Sequence, residues 1–178
     1  MIIVIFVLVL WYGGLFFQSF FLHRYAAHQI FTMSKTMERL SFVLTWIFQG
    51  PSYLSAYGYG IMHRMHHAHT DTEEDPHSPS HDANILAMMW KTKNIYQDIN
   101  KQRIIVAPQF VNGVPQWKNF DLFAGSKISR ILWIAAYLVF FLFFSSSWWE
   151  WVLFPLTFLM APVHGAIINL SLIHISEP

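Results

Sequence analysis

The sequence predicts an all-α integral membrane protein. Of its 178 residues, 54% are hydrophobic and 18% aromatic, while 12% are charged, which is about half the charged share of a soluble domain. Long apolar runs alternate with polar segments that are rich in histidine. This composition excludes intrinsic disorder. A net charge of +1 offers no concentrated basic surface, so nucleic acid is excluded as a partner.

Three segments are predicted to be transmembrane helices. Residues 1–22 carry no charged side chain and would extend about 33 Å as a helix, which is enough to cross a bilayer. A cleaved signal peptide is the alternative, but no basic residue precedes this apolar run. Residues 128–144 and 148–170 are predicted to form a helical hairpin around a serine turn at 145–147, and the tryptophans after the turn suit a membrane interface.

The positive charges predict the orientation in the membrane. All 11 lysines and arginines lie between Arg24 and Arg130, so the positive-inside tendency puts residues 23–130 on the cytoplasmic face. A further hydrophobic segment, 40–59, is interrupted at Gly50-Pro51. If this segment crossed the membrane once, Arg24 and Arg64 would lie on opposite faces of the membrane. We therefore expect a re-entrant or surface-lying segment.

The polar stretch between the spans predicts a helical cytoplasmic layer that carries the histidines. We expect a helix around residues 84–103 and turns at Asp75-Pro76, Ser78-Pro79 and Asn112-Gly113. No internal repeat or low-complexity linker divides the sequence, which predicts one domain over residues 1–170.

The spacing of His63, His66 and His67 indicates a metal site. The sequence has no cysteine but ten histidines, so any metal must be held by imidazole, carboxylate or amide groups. On an α-helix these three residues lie within about 100° of one another, and three imidazoles on one face can converge on an ion. A polar helix face that happens to be rich in histidine is the alternative.

His23 and His28 are weaker candidates by themselves. A spacing of five residues rotates them about 140° apart on an α-helix, so we do not expect them to bind one ion as an adjacent pair. They could serve two ions, or bind at a helix end where the geometry relaxes. Hydrogen bonding to carbonyls or lipid headgroups is the alternative for interfacial histidines.

Several other polar residues lie near these motifs. His69 falls about 240° from His63 on a helix and is expected at the surface or beside the site. Asp75, whose direction the following proline restricts, is expected to hydrogen-bond a ligating histidine. Asn169 lies at the cytoplasmic end of the last apolar run and is expected to contribute to the site. The roles of the remaining polar residues stay open: Asp71, Glu73, Glu74, His77, His81 and His164.

These motifs resemble a known family. The stretch His23-Arg24-Tyr25-Ala26-Ala27-His28, then His63-Arg64-Met65-His66-His67, then Thr70-Asp71-Thr72 and Asp75-Pro76-His77 resemble the first two histidine boxes of membrane fatty acyl desaturases. The likeness is to the Δ9, stearoyl-CoA-like type. It covers residues 15–80, and the hairpin ending in Asn169 matches the family's last membrane pair.

The resemblance implies a di-iron enzyme. It would use O2 and two electrons, from ferredoxin or a cytochrome b5-like carrier, to introduce a cis double bond into the acyl chain of an acyl-CoA or other acyl lipid. The resemblance implies no catalytic residue beyond the metal ligands. By resemblance, five histidines bind iron and one asparagine holds an iron-bound water: His23, His28, His63, His66, His67 and Asn169.

The sequence departs from the family pattern at its end. Where the family has a histidine four residues after the asparagine, this sequence has Ile173, and no third HxxHH box follows. Residues 171–178 resemble a translated sequencing adapter. We expect a C-terminally truncated chain with a non-native tail, an incomplete set of iron ligands and no activity as given.

Three other functions are considered. A histidine-box lipid or alkane hydroxylase would use the same kind of site. A membrane bis-histidine haem electron carrier would need histidine pairs facing each other within spans. A metal transporter should have ionisable residues at mid-membrane depth, and residues 1–22 have none. The acyl chain length and the double-bond position cannot be read from the sequence.

Overall fold

The structure is a computed structural model, and it describes residues 1–70, 72, 74–76 and 84–159. Every regular element in these residues is helical, which confirms the predicted all-α class. The α-helices are α1 (Ile2–Phe17), α2 (Lys35–Gln49), α3 (Ala56–His69), α4 (Ile85–Asn100), α5 (Pro108–Val111), α6 (Lys118–Ala124) and α7 (Lys127–Phe144). A π-helix (Gln18–Ala27) continues α1, and 3-10 helices cover Gly50–Ser52 and Trp148–Leu153.

Two helices in the described part of the chain are long and apolar enough to cross a membrane. They are Ile2–Ala27 and Lys127–Phe144. Large apolar side chains such as Leu8 on the first helix and Leu142 on the second are exposed, and lipid rather than water suits such faces. Both helices were predicted as spans. The first continues past its predicted end at residue 22.

The third predicted span does not begin as an α-helix. Residues Trp148–Leu153 form a 3-10 helix. The buried Glu150 carboxylate folds back on the serine turn, where it accepts hydrogen bonds from the backbone N–H of Ser146 at 2.7 Å and of Ser147 at 3.2 Å. Residues 156–159 return to α-helical geometry. The remainder of the predicted span lies outside the described residues.

The predicted break at Gly50-Pro51 is confirmed. α2 ends at Gln49, and Gly50 adopts a φ of +50°, which side chains with a Cβ rarely tolerate. A Cβ there would also lie 2.2 Å from the hydroxyl oxygen of Tyr137. α2 has 15 residues and is therefore about 22 Å long, short of a hydrocarbon core of about 30 Å. That this segment does not cross the membrane stays a prediction.

The chain divides into two compact units, and the first contains α1 and α7. Its described residues are 1–19, 33–54 and 117–159. α1 and α7 pack through buried apolar side chains, with Phe6 stacked on Phe140 at a centroid distance of 4.1 Å. α1 and α2 approach closely at Gly13, where a Cβ would lie 2.1 Å from the Phe48 ring.

The second unit carries every described histidine. Its described residues are 20–32, 55–70, 72, 74–76 and 84–116. α3 begins at the N-cap Ser55, whose Oγ accepts from the Gly58 N–H at 3.0 Å and donates to Asn100 Oδ1 at 2.5 Å. α4, which supplies Asn100, confirms the helix predicted around 84–103. The single domain over 1–170 stays a prediction.

Candidate metal centre

The first histidine pair lies at the end of the π-helix. His23 belongs to this helix, and the His28 N–H donates to the His23 carbonyl at 3.0 Å, an i→i+5 bond. Such bonding brings residues five apart onto adjacent turns of one face. The two rings are 4.5 Å apart between centroids. The expectation that they do not form an adjacent pair assumed α-helical geometry, and the arrangement matches the alternative of a site at a helix end where the geometry relaxes.

The second pair lies on α3. His63 and His67 are one α-helical turn apart, and their ring centroids are separated by 4.6 Å. Their Nε2 atoms are 3.0 Å apart. The hydrogen bonds that Ser55 makes with Gly58 and Asn100 fix the start of α3. They thereby fix the positions of His63 and His67 further along the same helix.

The two pairs converge on one point. Among the described residues, His23, His28, His63 and His67 form a group whose ligand nitrogens all lie within 4.8 Å of one another. The Nε2 atom of His63 is 3.1 Å from that of His28. Two nitrogens bound to one tetrahedral ion at about 2.05 Å would lie about 3.3 Å apart. Two of the distances in the group are thus near this value, and four imidazole nitrogens suit a transition-metal ion.

The electrostatics of the group favour neutral imidazoles. Burial, together with the neighbouring His23 and His67 rings, lowers the pKa of His63 to about 2. Burial and the His28 ring also lower the pKa of His67. The neutral imidazole is the form that binds a metal ion. His63 and His67 therefore present ligand lone pairs at neutral pH without first having to lose protons.

His66 has a different environment. Its Nδ1 lies 2.9 Å from both carboxylate oxygens of Asp75, which is 1% exposed. The His66 ring is 5.8 Å from the His67 ring between centroids, and His66 does not belong to the group of four. With Nδ1 on the carboxylate, Nε2 is the atom through which His66 would bind a metal. The expected contact between Asp75 and a candidate ligand is confirmed.

The other predicted residues lie beside the group or outside the described part. His69 pairs with the exposed Glu74, with its Nδ1 3.2 Å from the carboxylate, as expected for a side chain off the ligand face. The remaining site candidates lie outside the described residues: Asp71, Glu73, His77, His81, His164 and Asn169.

Tyr59 was not singled out from the sequence. Its ring stacks on His63, with centroids 5.6 Å apart and planes inclined by 10°. Burial raises the pKa of Tyr59 to about 12, so this ring stays a neutral phenol and covers one face of the imidazole. The available signal was its position four residues before His63, on the same face of α3.

The described residues define an all-helical protein that has two helices long and apolar enough to cross a membrane and a cluster of four histidines that could hold a metal ion. Residues 2–177 match the sequence model of the family described as fatty acid desaturase. The chain belongs to the fatty acid desaturase family, whose members are oxidoreductases acting on acyl chains with O2. Comparison with curated proteins and with solved structures gives no match.

Proposed function

We propose that this chain carries the metal-binding part of a fatty acyl-CoA desaturase of the Δ9, stearoyl-CoA-like type. The observation that carries the proposal is the convergence of His23, His28, His63 and His67 on one point. Both pairs belong to the motifs that resemble the family's first two histidine boxes. The substrate class rests on that resemblance.

The proposed cofactor is a pair of iron ions. His23, His28, His63 and His67 would hold one ion, and His66, oriented by Asp75, would face a second. Asn169 would bind iron through water. The chemistry that iron would supply when bound here is O2 activation, for a reaction in which an acyl CH2–CH2 unit, O2, two electrons and two protons would give a CH=CH unit and two waters.

The protein's own groups would define the surroundings of the iron. The stacked Tyr59 ring shields one side of His63 from water, and the Asp75 carboxylate holds His66 in one orientation. The exposed apolar faces of the two candidate spans keep the protein in the membrane, where acyl substrates reside. Ferredoxin or a cytochrome b5-like protein is the proposed electron donor.

The cluster geometry also favours an ion over haem. In a bis-histidine haem the porphyrin lies between two imidazoles, whereas here two further imidazole nitrogens lie within 4.8 Å of any chosen pair. These two further imidazoles would occupy the space that the porphyrin needs. A hydroxylase remains the closest alternative, and the resemblance at Asp75-Pro76-His77 favours desaturation.

Product analysis tests the reaction. The assay uses the chain extended through a third histidine box from another fatty acid desaturase, since the resemblance locates further ligands there. Long-chain acyl-CoA and an acyl phospholipid are each supplied with ferrous iron, reductant and O2. We expect a cis-monounsaturated product from the acyl-CoA and none from the His63→Ala variant. A hydroxylated product would support the alternative, and product from the phospholipid alone would exclude an acyl-CoA enzyme.

The proposed site faces the cytoplasm, and cysteine labelling tests this topology. The sequence has no cysteine, so single cysteines at Ser34, Lys101 and Ser146 give clean signals. We expect the first two to react with an impermeant reagent only from the cytoplasmic side, and the third only from the opposite side. Labelling of Ser34 and Lys101 from opposite sides would contradict the proposed topology.

A further inference from the structure

The Arg64 side chain binds four backbone carbonyls. Its Nε donates to the Ala27 oxygen at 2.7 Å, and Nη2 donates to the Ala26 oxygen at 3.2 Å. Nη1 donates to the carbonyls of Asn112 at 2.8 Å and Phe110 at 3.2 Å. Among the described residues Arg64 makes no ion pair. Within those residues, the guanidinium donates hydrogen bonds to these four peptide carbonyls.

Two of these carbonyls end the π-helix. Ala26 and Ala27 are its last residues, and both are buried. Carbonyls at a helix end lack partners within the helix, and a cation there is favourable because of the helix dipole. A guanidinium offers a rigid, planar set of donors that can serve several acceptors at once. Arg64 therefore caps the π-helix from α3.

A second contact joins the same two elements. Gly60 precedes Arg64 by one turn of α3, and a Cβ at Gly60 would lie 3.2 Å from the Ala26 oxygen. Residues four apart share a helix face. The backbone of α3 thus lies directly against the end of the π-helix. One turn later on α3, the Arg64 guanidinium stabilises this contact through its hydrogen bonds.

The residues joined by these hydrogen bonds are next to the candidate ligands in the sequence. Ala27 immediately precedes His28, and Arg64 immediately follows His63. We propose that Arg64 is a positioning residue of the imidazole cluster, which holds His28 against His63 and His67 in the arrangement that binds one ion. The inference rests on the proposed function in so far as the cluster binds metal.

Metal affinity tests this role in the full chain in detergent. Anaerobic Fe²⁺ binding is measured for the wild type, Arg64→Gln and Arg64→Lys, with circular dichroism as the check on folding. We expect a loss of affinity of about 10–100-fold in Arg64→Gln, as for other residues that orient ligands. Arg64→Lys should be intermediate, because an ammonium cannot span four carbonyls. It also provides the comparison if Arg64→Gln fails to fold.

Arg24→Gln is the matched control. Arg24 is an exposed arginine directly after His23, so this variant makes the same change of charge beside the cluster, and its affinity should stay near that of the wild type. In a His28→Ala background, Arg64→Gln should cost far less affinity than in the wild type, because the residue that it positions is gone. An equal loss in both backgrounds, or none in the wild type, would overturn the proposal.

Amide exchange of the metal-free chain separates this inference from the proposed function. The His28 and Ile30 N–H groups donate back into the π-helix, and Arg64→Gln should speed their exchange while Arg24→Gln should not. If the wild type bound no iron, the proposed function would fail, and exchange alone would decide the role of Arg64. Unchanged exchange in Arg64→Gln would then exclude the positioning role.

Discussion

The Nε2 atom of His28 lies 3.1 Å from the Nε2 atom of His63, although 35 residues separate the two in the chain. His28 directly follows the π-helix that carries His23 five residues earlier, and His63 lies four residues before His67 on α3. Each spacing matches the hydrogen-bond period of its helix. Both helices therefore present two imidazoles from adjacent turns, and the two pairs meet.

Replacing His63 with alanine should abolish tight iron binding. His63 is central to the group, since its Nε2 is within 3.1 Å of the Nε2 atoms of both His28 and His67. We expect a loss larger than the 10–100-fold that removal of an outer hydrogen bond costs. The measurement is anaerobic Fe²⁺ titration of the protein in detergent.

His69→Ala is the control for that experiment. His69 lies on the same helix but pairs with Glu74 and does not belong to the group of four. Its affinity for iron should stay close to that of the wild type. An equal loss in His69→Ala and His63→Ala would contradict the assignment of the cluster.

The α3 pair could be predicted from the sequence, whereas the π-helix pair could not. A spacing of four residues on an α-helix fixes the relative direction of His63 and His67. No comparable sequence pattern around His23 predicts a π-helix. The convergence of the two pairs depends on contacts between distant segments. The spacing of histidines within each segment does not predict these contacts.

Among the other contacts, one that the local sequence favours could be predicted, and two could not. The direction of Asp75 could be argued from the proline after it, and its contact with His66 is confirmed. The 3-10 start of the predicted third helix was not predicted, since it depends on the buried Glu150 carboxylate folding back on the serine turn. The sequence shows Arg64 only as one residue of a motif, whereas its four acceptors lie in two distant segments.

Asp75→Asn should weaken iron binding without removing a ligand. The carboxylate contacts His66 Nδ1 through both oxygens and strengthens the imidazole as a ligand. We expect about 10–100-fold weaker binding at the second of the two proposed iron sites, measured by iron stoichiometry and titration of the chain extended through a third histidine box. Glu74→Gln, which changes an exposed carboxylate nearby, should have little effect. Unaltered binding in Asp75→Asn would exclude this role.

Asp121 should make the first unit less stable as the pH rises. Burial raises the pKa of Asp121 to about 6 from its ordinary 3.8, against the hydrogen bond from Tyr53 that lowers it. The folded state therefore holds a proton that the unfolded state loses between these values. The free energy of unfolding should fall from about pH 4 to pH 6, by at most about 3 kcal/mol, and stay low above pH 6.

Asp121→Asn tests this pH dependence, since an amide cannot ionise. Thermal unfolding in detergent, followed from pH 4 to pH 7, should show a smaller decline in this variant than in the wild type. Asp98→Asn, which alters a carboxylate 3.5 Å from Arg103 at the surface of α4, should keep the decline of the wild type. Parallel profiles for the wild type and Asp121→Asn would show that Asp121 is not the group responsible.

Gly58→Ala should destabilise α3, although alanine ordinarily favours a helix over glycine by about 1 kcal/mol. A Cβ at Gly58 would lie 2.4 Å from Asn100 Nδ2 and 2.6 Å from Oδ1, so it would displace the side chain that binds Ser55. Overpacking of this kind costs about 1–3 kcal/mol, which predicts a thermal midpoint roughly 2–10 °C lower.

Asn100→Ala supplies the matched background, because it removes the obstructing side chain. There the added Gly58→Ala change should leave the midpoint unchanged or raise it. A further drop in the double variant would show that the collision with Asn100 is not what makes glycine necessary at this position.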